Sequence, residues 1–537
     1  MKSIIYTPEQ HKIIRKEDPS GVNGSRWDLK ADVCVIGSGA GGAVAAAELA
    51  RQGWKVVLIE EGPYLIGQFT NDEFTAQARM YRDGGYVLTE NQTASIVQGR
   101  TLGGSTTVNW QTSLYPPDYV TNEWRDRFGL GGYALDEEMG AFVAEVHERV
   151  GVETVPDRLI NENNQVLMRG GKRLGLNPEV LKNNNGGKCI GLGRCGLGCP
   201  VNAKQTTFLT WIPDALNAGA IVVTNMRAVK ISDGDLKVVH AEFTADAYDD
   251  HPRDIIEKMR ITAPVVIVSA GALEGPALLQ RSGIGNDYVG RNLKLHPTST
   301  IFAKFDQPID MWNGPPQSVV LKDGHNQNGT GYGFWLEVAP FRPTLTAALM
   351  PFYGAQQFAQ LKDYRNLSAG IVLVRDGADG ETKGRVNWSF GRRKVEYEFT
   401  PGDGTNMLRG LKMLAEVQAA AGARELIFPF GAIQKPIPVT PETNFDWILK
   451  QSFAPGKIGV GSAHPHGSIQ AAANASQGAI DPHFELHGHP NIFVMDASWI
   501  PTGLSVNPQI TTMSAALRAA RKLGGEKRER VDANSGN

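Results

Sequence analysis

The stretch ADVCVIGSGAGGAVAAAELARQGWKVVLIEEGP, residues 31–63, leaves the chain little choice of local fold. Val33 to Ile36 is an unbroken apolar run of the kind that forms a strand buried on both faces. A glycine cluster follows, then an alanine-rich helical segment to about Gln52, with Gly53 at its C-cap. KVVLIEE is a second buried strand, so the spacing predicts a strand–helix–strand unit with parallel strands. Gly37, Gly39 and Gly42 satisfy G-x-G-x-x-G between the first strand and the helix. Gly37 permits the tight turn, Gly39 lets the backbone approach a pyrophosphate, and Gly42 lets helix and strand pack closely. The helix N-terminus offers unpaired N–H groups and a partial positive charge to that pyrophosphate. Glu60 stands 18 residues after Gly42, at the end of the second strand, where a carboxylate accepts hydrogen bonds from a ribose. The pattern points to a dinucleotide without separating FAD from NAD.

The rest of the chain sets the context for this unit. Its 537 residues exceed one simple core and suggest two to four domains. Hydrophobic residues at 41% and charged residues at 20% describe an ordinary globular protein. A net charge of −2 gives no electrostatic reason to expect nucleic acid or an anionic membrane as partner. No apolar run approaches the ~18 residues of a membrane span, and the first residues carry no export signal. That favours the cytoplasm, with a peripheral or partner-escorted location left open. MRITAPVVIVSAGALEGPALLQRSG reads as strand, glycine turn and short helix. TSTIFAKF, RVNWSF and KVEYEFT suggest an antiparallel sheet within 300–400, with a helix from about Asn406 to Ala421 against it. TTMSAALRAARKLGG reads as a final helix.

Four blocks then resemble one family in its order. GRTLGGSTTVNW (99–110) resembles the R-x-L-G-G-S-S-x-x-N block of the glucose–methanol–choline (GMC) flavoprotein oxidoreductases. GALEGPALLQRSGIG (271–285) resembles the family's second signature and VGRNLKLHP (289–297) its continuation. NIFVMDASWIPTGLSVNPQITTMSAALRAA (491–520) resembles the C-terminal block. The resemblance implies an α/β protein: a Rossmann-type FAD-binding domain interleaved with an α+β substrate domain built on an antiparallel sheet. It places the FAD domain in 28–115, 215–300 and 455–525. The substrate or cap domain takes 116–214 and 301–454, including the cysteine-rich loop 186–206. An arm covers 1–27 and a disordered tail 526–537. By position, Arg100, Gly103, Gly104, Asn109, Val229, Asp496, Pro508 and Thr511 fall on the cofactor side. The helix after Thr511 would aim its positive end at the flavin. The family's covalent linkage uses a histidine near the LGGS block, and IVQGRTLGGST has none, so non-covalent FAD is expected.

Oxidising an alcohol by hydride transfer to flavin N5 requires the hydroxyl proton to leave, and histidine suits that role. GSAHPHGSIQ offers two. The family register H-x-x-G-[TS] selects His464, while His466 fits after a two-residue shift and shares a face with His464 if the segment is extended. The family's second catalytic position falls on Asn507, whose amide can hold an oxygen but takes no proton. Cys34 reads as a buried apolar residue, and HFELHGH (483–489) as a polar turn rather than a zinc site.

Cys189, Cys195 and Cys199 crowd into one glycine-rich loop. Their spacing and the following proline resemble sugar dehydrogenases of this family, which hold a [3Fe–4S] cluster there and pass electrons to a haem partner. The residue choices of CGLGCPVNAKQTT resemble the long-chain alcohol oxidase branch instead. A cluster, a disulfide or redox pair, and an unligated covering loop all fit. The first function expected is FAD-dependent oxidation of an apolar or aromatic alcohol. Its electron acceptor is dioxygen, a quinone or a cytochrome subunit. The alternatives are a sugar or polyol dehydrogenase with the cluster, and a non-redox lyase or decarboxylase on the same fold.

Overall fold

The computed structural model describes residues 5–7, 22–23, 26–133, 136–245, 257–380 and 384–525. Most of the expected N-terminal arm, and the expected tail, lie outside the described residues.

The strand–helix–strand unit forms as its sequence dictates. Val33–Ile36 and Val56–Ile59 are fully buried parallel neighbours, with Val33 opposite Val56 and Ile36 opposite Ile59. Gly42–Arg51 is the helix between them. The two strands are the centre of a six-stranded parallel sheet. Across it run Ile5–Tyr6, Ile221–Val223, Val56–Ile59, Val33–Ile36, Val265–Val268 and Ile492–Val494. Four of these strands enter from distant parts of the chain, because an all-parallel sheet needs a crossover between neighbours. The final helix, Gln509–Gly525, packs against Gly42–Arg51. A second sheet pairs Met226–Asp233, Lys237–Phe243 and Lys258–Ala263 antiparallel, with Arg26–Lys30 added parallel to the last.

The largest sheet has ten strands, centred on antiparallel Thr298–Lys304, Leu367–Val374 and Phe334–Val338. Leu367–Val374 is buried along its whole length, because Pro401–Ala420 and Glu162–Arg173 pack against it. The Pro401–Ala420 helix starts five residues before the expected Asn406. Thr400 and Asp403 form a capping box there, Thr400 Oγ1 accepting from Asp403 N at 3.1 Å and Asp403 Oδ2 from Thr400 N at 3.2 Å. RVNWSF and KVEYEFT form a separate hairpin, Arg385–Ser389 with Arg392–Glu396, outside the large sheet.

An aromatic cluster of Trp124, Tyr133, Phe484 and Trp499 braces the C-terminal block, with ring centroids 4.8–5.5 Å apart. Such pairs each add about 0.5–1.5 kcal/mol beyond area burial. No helix among the described residues is long and apolar enough to cross a membrane.

Candidate active site

A cavity of about 410 Å³ opens where the parallel sheet meets the ten-stranded sheet. One end is walled by Gly37–Gly41, Glu60, Ser269–Gly271 and Asp496, at the carboxyl ends of parallel strands, where open α/β sheets bind ligands. Trp110, Phe341, Leu345, Leu349, Ile371 and Leu373 also line the cavity.

Ser38 ties the first end together. Its N–H and Oγ donate to Glu60 Oε2 at 3.0 and 2.6 Å, and its Oγ accepts from Gly103 N at 2.9 Å. Gly62 N donates to the other Glu60 oxygen at 2.8 Å. Burial raises the Glu60 carboxyl above its ordinary range, against those three donors. Asp496 is raised by burial in the same way; it accepts from Gly271 N at 2.7 Å and Ser498 N at 2.8 Å. Gly41 admits no side chain, since a Cβ there would overlap the Met495 carbonyl; at Gly39 nothing stands within 4 Å of that position. The glycine turn is therefore closed on its strand side and open on its cavity side. Gln98 Oε1 and Gln509 Nε2, on residues that line the cavity, are buried without a hydrogen-bond partner. An open glycine cradle, two acids at strand ends and unpaired amide atoms fit a flavin dinucleotide.

The structure brings Gly37, Gly39, Glu60, Gly104, Asn109, Asp496, Pro508, His464 and Asn507 to the cavity wall. Six other expected residues stand off it. Gly42 and Gly103 support the wall from behind. The Arg100 guanidinium is paired with Glu61 at 3.2 Å. Val229 sits half-buried beside a register shift in its strand, and its neighbours Arg227 and Ala228 face the cavity. The Thr511 hydroxyl is buried without a partner, while Gln509 and Thr512 of the same helix reach the wall.

His466 is the sixth. An extended segment would put both histidines on one face, but the His466 ring turns into the body of the protein. Its Nδ1 lies 2.7 Å from the His464 carbonyl and its Nε2 3.1 Å from that of Thr502. Thr502 is itself held by Trp124, whose Nε1 donates to its hydroxyl at 2.8 Å, so His466 links the aromatic cluster to the site segment. His464 remains on the wall, with Nε2 3.2 Å from Asn507 Nδ2 and Nδ1 3.1 Å from Nδ1 of His296. Burial, with His466 nearby, pushes the His464 imidazolium down to about 3. His296 is lowered well below its ordinary value by burial and then by His464. Nothing local in VGRNLKLHP marks His296, since its partner lies 168 residues away.

Of the four cysteines, Cys189, Cys195 and Cys199 lie within electrostatic reach of one another. All four are free thiols, and among the described residues no group of three or more His, Cys, Asp or Glu side chains is arranged to hold a metal ion. The expected [3Fe–4S] cluster therefore finds no support in this arrangement, and no disulfide joins the loop cysteines. Cys195 Sγ accepts from Gln111 Nε2 at 2.9 Å, and burial pushes its thiol up to about 11. Burial raises Cys189 as well. The loop is pinned instead by Lys204, fully buried, whose ammonium donates to the carbonyls of Thr107, Asn109 and Cys195 at 2.7–2.8 Å. Lys204 thus docks the cysteine loop onto the segment that carries Asn109. Cys34 is buried in its strand. In the HFELHGH turn each histidine has its own partner: His483 meets Lys522, His487 the Ala472 carbonyl, and His489 Asp233.

Residues 77–298 and 381–516 match the N- and C-terminal GMC oxidoreductase domains, and residues 35–95 an NAD(P)-binding Rossmann-like domain. The chain belongs to the GMC oxidoreductase family. Long-chain-alcohol oxidase FAO4B of Arabidopsis thaliana is 31% identical over 525 residues, spanning 93% of this chain and 68% of that protein. An uncharacterized GMC-type oxidoreductase of Mycobacterium tuberculosis is 30% identical over 501 residues, 91% of this chain and 75% of that one. Pyridoxine 4-oxidase from Mesorbium loti shares the fold at a TM-score of 0.67 and 17% identity, covering 91% of this chain and 98% of that chain. This GMC oxidoreductase therefore combines a Rossmann-like unit with a mixed helix-and-sheet body.

Proposed function

We propose that this GMC oxidoreductase oxidises the CH–OH group of an apolar alcohol to the carbonyl, with FAD held non-covalently and His464 as the base. The observation that carries this reading is the His464–Asn507 pair, 3.2 Å apart on the wall of a cavity that Trp110, Phe341, Leu345 and Leu349 also line. Gly37–Gly41, Glu60, Gly104, Asn109 and Asp496 would hold FAD, which would supply the hydride acceptor. Asn507 Nδ2 donates to the alcohol oxygen, orienting the hydroxyl. The O–H donates to Nε2 of His464, and the base takes that proton as the carbon's hydride departs. His464 is held neutral, and its Nε2 lone pair, which faces Asn507 Nδ2 in the free enzyme, passes to the alcohol O–H when substrate binds.

Trp110, Phe341, Leu345 and Leu349 favour an alkyl chain over a sugar. The long-chain-alcohol oxidases among the relatives support the same substrate class, and dioxygen as acceptor. The test is oxygen consumption with a series from butan-1-ol to tetradecan-1-ol. We expect kcat/KM to rise with chain length. His464→Ala should lower kcat by about 10²–10⁴-fold, the usual contribution of a general base, with FAD retained. An unchanged rate in His464→Ala removes the base from its role, and a flat or falling chain-length series removes the apolar substrate.

A further inference from the structure

The geometry points to His296 as a positioning residue that fixes the tautomer of His464, keeping the Nε2 lone pair turned toward the substrate; this rests on His464 being the base. The two rings stack with centroids 5.1 Å apart and planes 28° from parallel, and their Nδ1 atoms are 3.1 Å apart. A hydrogen bond between two Nδ1 atoms needs one donor and one acceptor, so the neutral rings must be opposite tautomers. Asn507 decides which is which. Its Nδ2 can only donate, and it faces Nε2 of His464. Nε2 is then the acceptor, His464 carries its proton on Nδ1, and His296 Nδ1 accepts it. His296 must carry its own proton on Nε2.

Two costs at His296 accompany this arrangement. Its Nε2 is buried without a hydrogen-bond partner, which is unfavourable for a polar group. Its backbone is left-handed, at φ +47°, an expense that persists only where surroundings enforce it. They do so here. The buried Asp376 carboxylate accepts from Leu295 N at 2.8 Å, from His296 N at 3.3 Å and from the Tyr397 hydroxyl at 2.8 Å. Ser462 joins the two histidine segments, donating from Oγ to the Leu295 carbonyl and accepting from His464 N at 3.2 Å. The fold thus holds a strained, under-bonded histidine against the base from both sides. When His464 takes the alcohol proton on Nε2, its Nδ1–H stays bonded to His296, so the new imidazolium keeps an acceptor on its far side.

The test pairs kinetics with nitrogen-15 NMR of histidine-labelled holoenzyme, using dodecan-1-ol as the substrate probe. His296→Ala is expected to lower kcat by about 10²-fold, the lower end of a general base's contribution, with KM and bound flavin unchanged. His296→Gln, whose carbonyl can accept from Nδ1–H, is expected to recover most of that loss. The His464 ring, assigned by its loss in His464→Ala, is expected to show an unprotonated Nε2 and a protonated Nδ1. A protonated Nε2 at His464, with Asn507 turned over, overturns the inference. So does a His296→Ala variant that folds, binds flavin and keeps its kcat, or one whose loss lies in KM alone. If His464→Ala is itself silent, the base assignment has failed and the role of His296 falls with it.

Discussion

Burial determines the protonation state of the residues that matter most. His296 and His466 are buried and His464 is half-buried, and each is held below the ordinary histidine value with burial as the largest cause. For catalysis the sign is simple: the base works when unprotonated, so a lowered value keeps it active well below the usual histidine range. We expect kcat/KM to be flat from pH 8 down to about 6, below the ordinary histidine value of about 6.5. A reversible acid limb at or above pH 6.5 would contradict the burial argument. For stability, the unfolded chain binds protons on these three histidines from about pH 6.5 downward while the folded chain does not. Stability is therefore complete above that value and lost as pH falls, so Tm should drop below pH 6.5 while activity per folded molecule holds.

At the scale of elements, the glycine turn and the strand ends it touches do the positioning. Gly39 and Gly41 make the clearest pair. A methyl at Gly41 meets the Met495 carbonyl, whereas a methyl at Gly39 meets nothing in the protein and projects into the cradle. Gly39→Ala should leave the Tm of the flavin-free protein within about 1 °C and weaken flavin retention at least tenfold, the scale of a lost close backbone approach. Gly41→Ala should lower Tm itself, through about 1–3 kcal/mol of overpacking. Thermal melts and flavin content after dialysis read both, and equal behaviour of the two variants would sink the distinction. The turn was legible in the sequence because every relation within Val33–Glu60 is local in the chain. The contact of Gly41 with Met495 was not, and neither was the pairing of His464 with His296, because both join distant segments that only the sheets bring together. The early start of the Pro401–Ala420 helix was present in the letters as Thr400-Pro-Gly-Asp403, but Pro-Gly reads first as a turn.

At the scale of the molecule, two sheets of different kind share one cavity. The parallel sheet supplies strand ends and a helix N-terminus to it. The ten-stranded sheet, with its covering helices, supplies apolar residues to its wall. The family blocks made the parallel half and the His464–Asn507 pair readable. The cysteine loop was not readable, because thiol spacing along the chain says nothing of whether sulfurs meet in space. Lys204 and Gln111 tie that loop to the segment that carries Asn109. The measurement that most directly tests the whole account is anaerobic addition of dodecan-1-ol to the purified protein, following the flavin absorption. The account predicts a bound flavin that bleaches stoichiometrically and yields dodecanal. A protein purified without flavin and unable to take up added FAD, or a flavin that no primary or secondary alcohol bleaches, would contradict it.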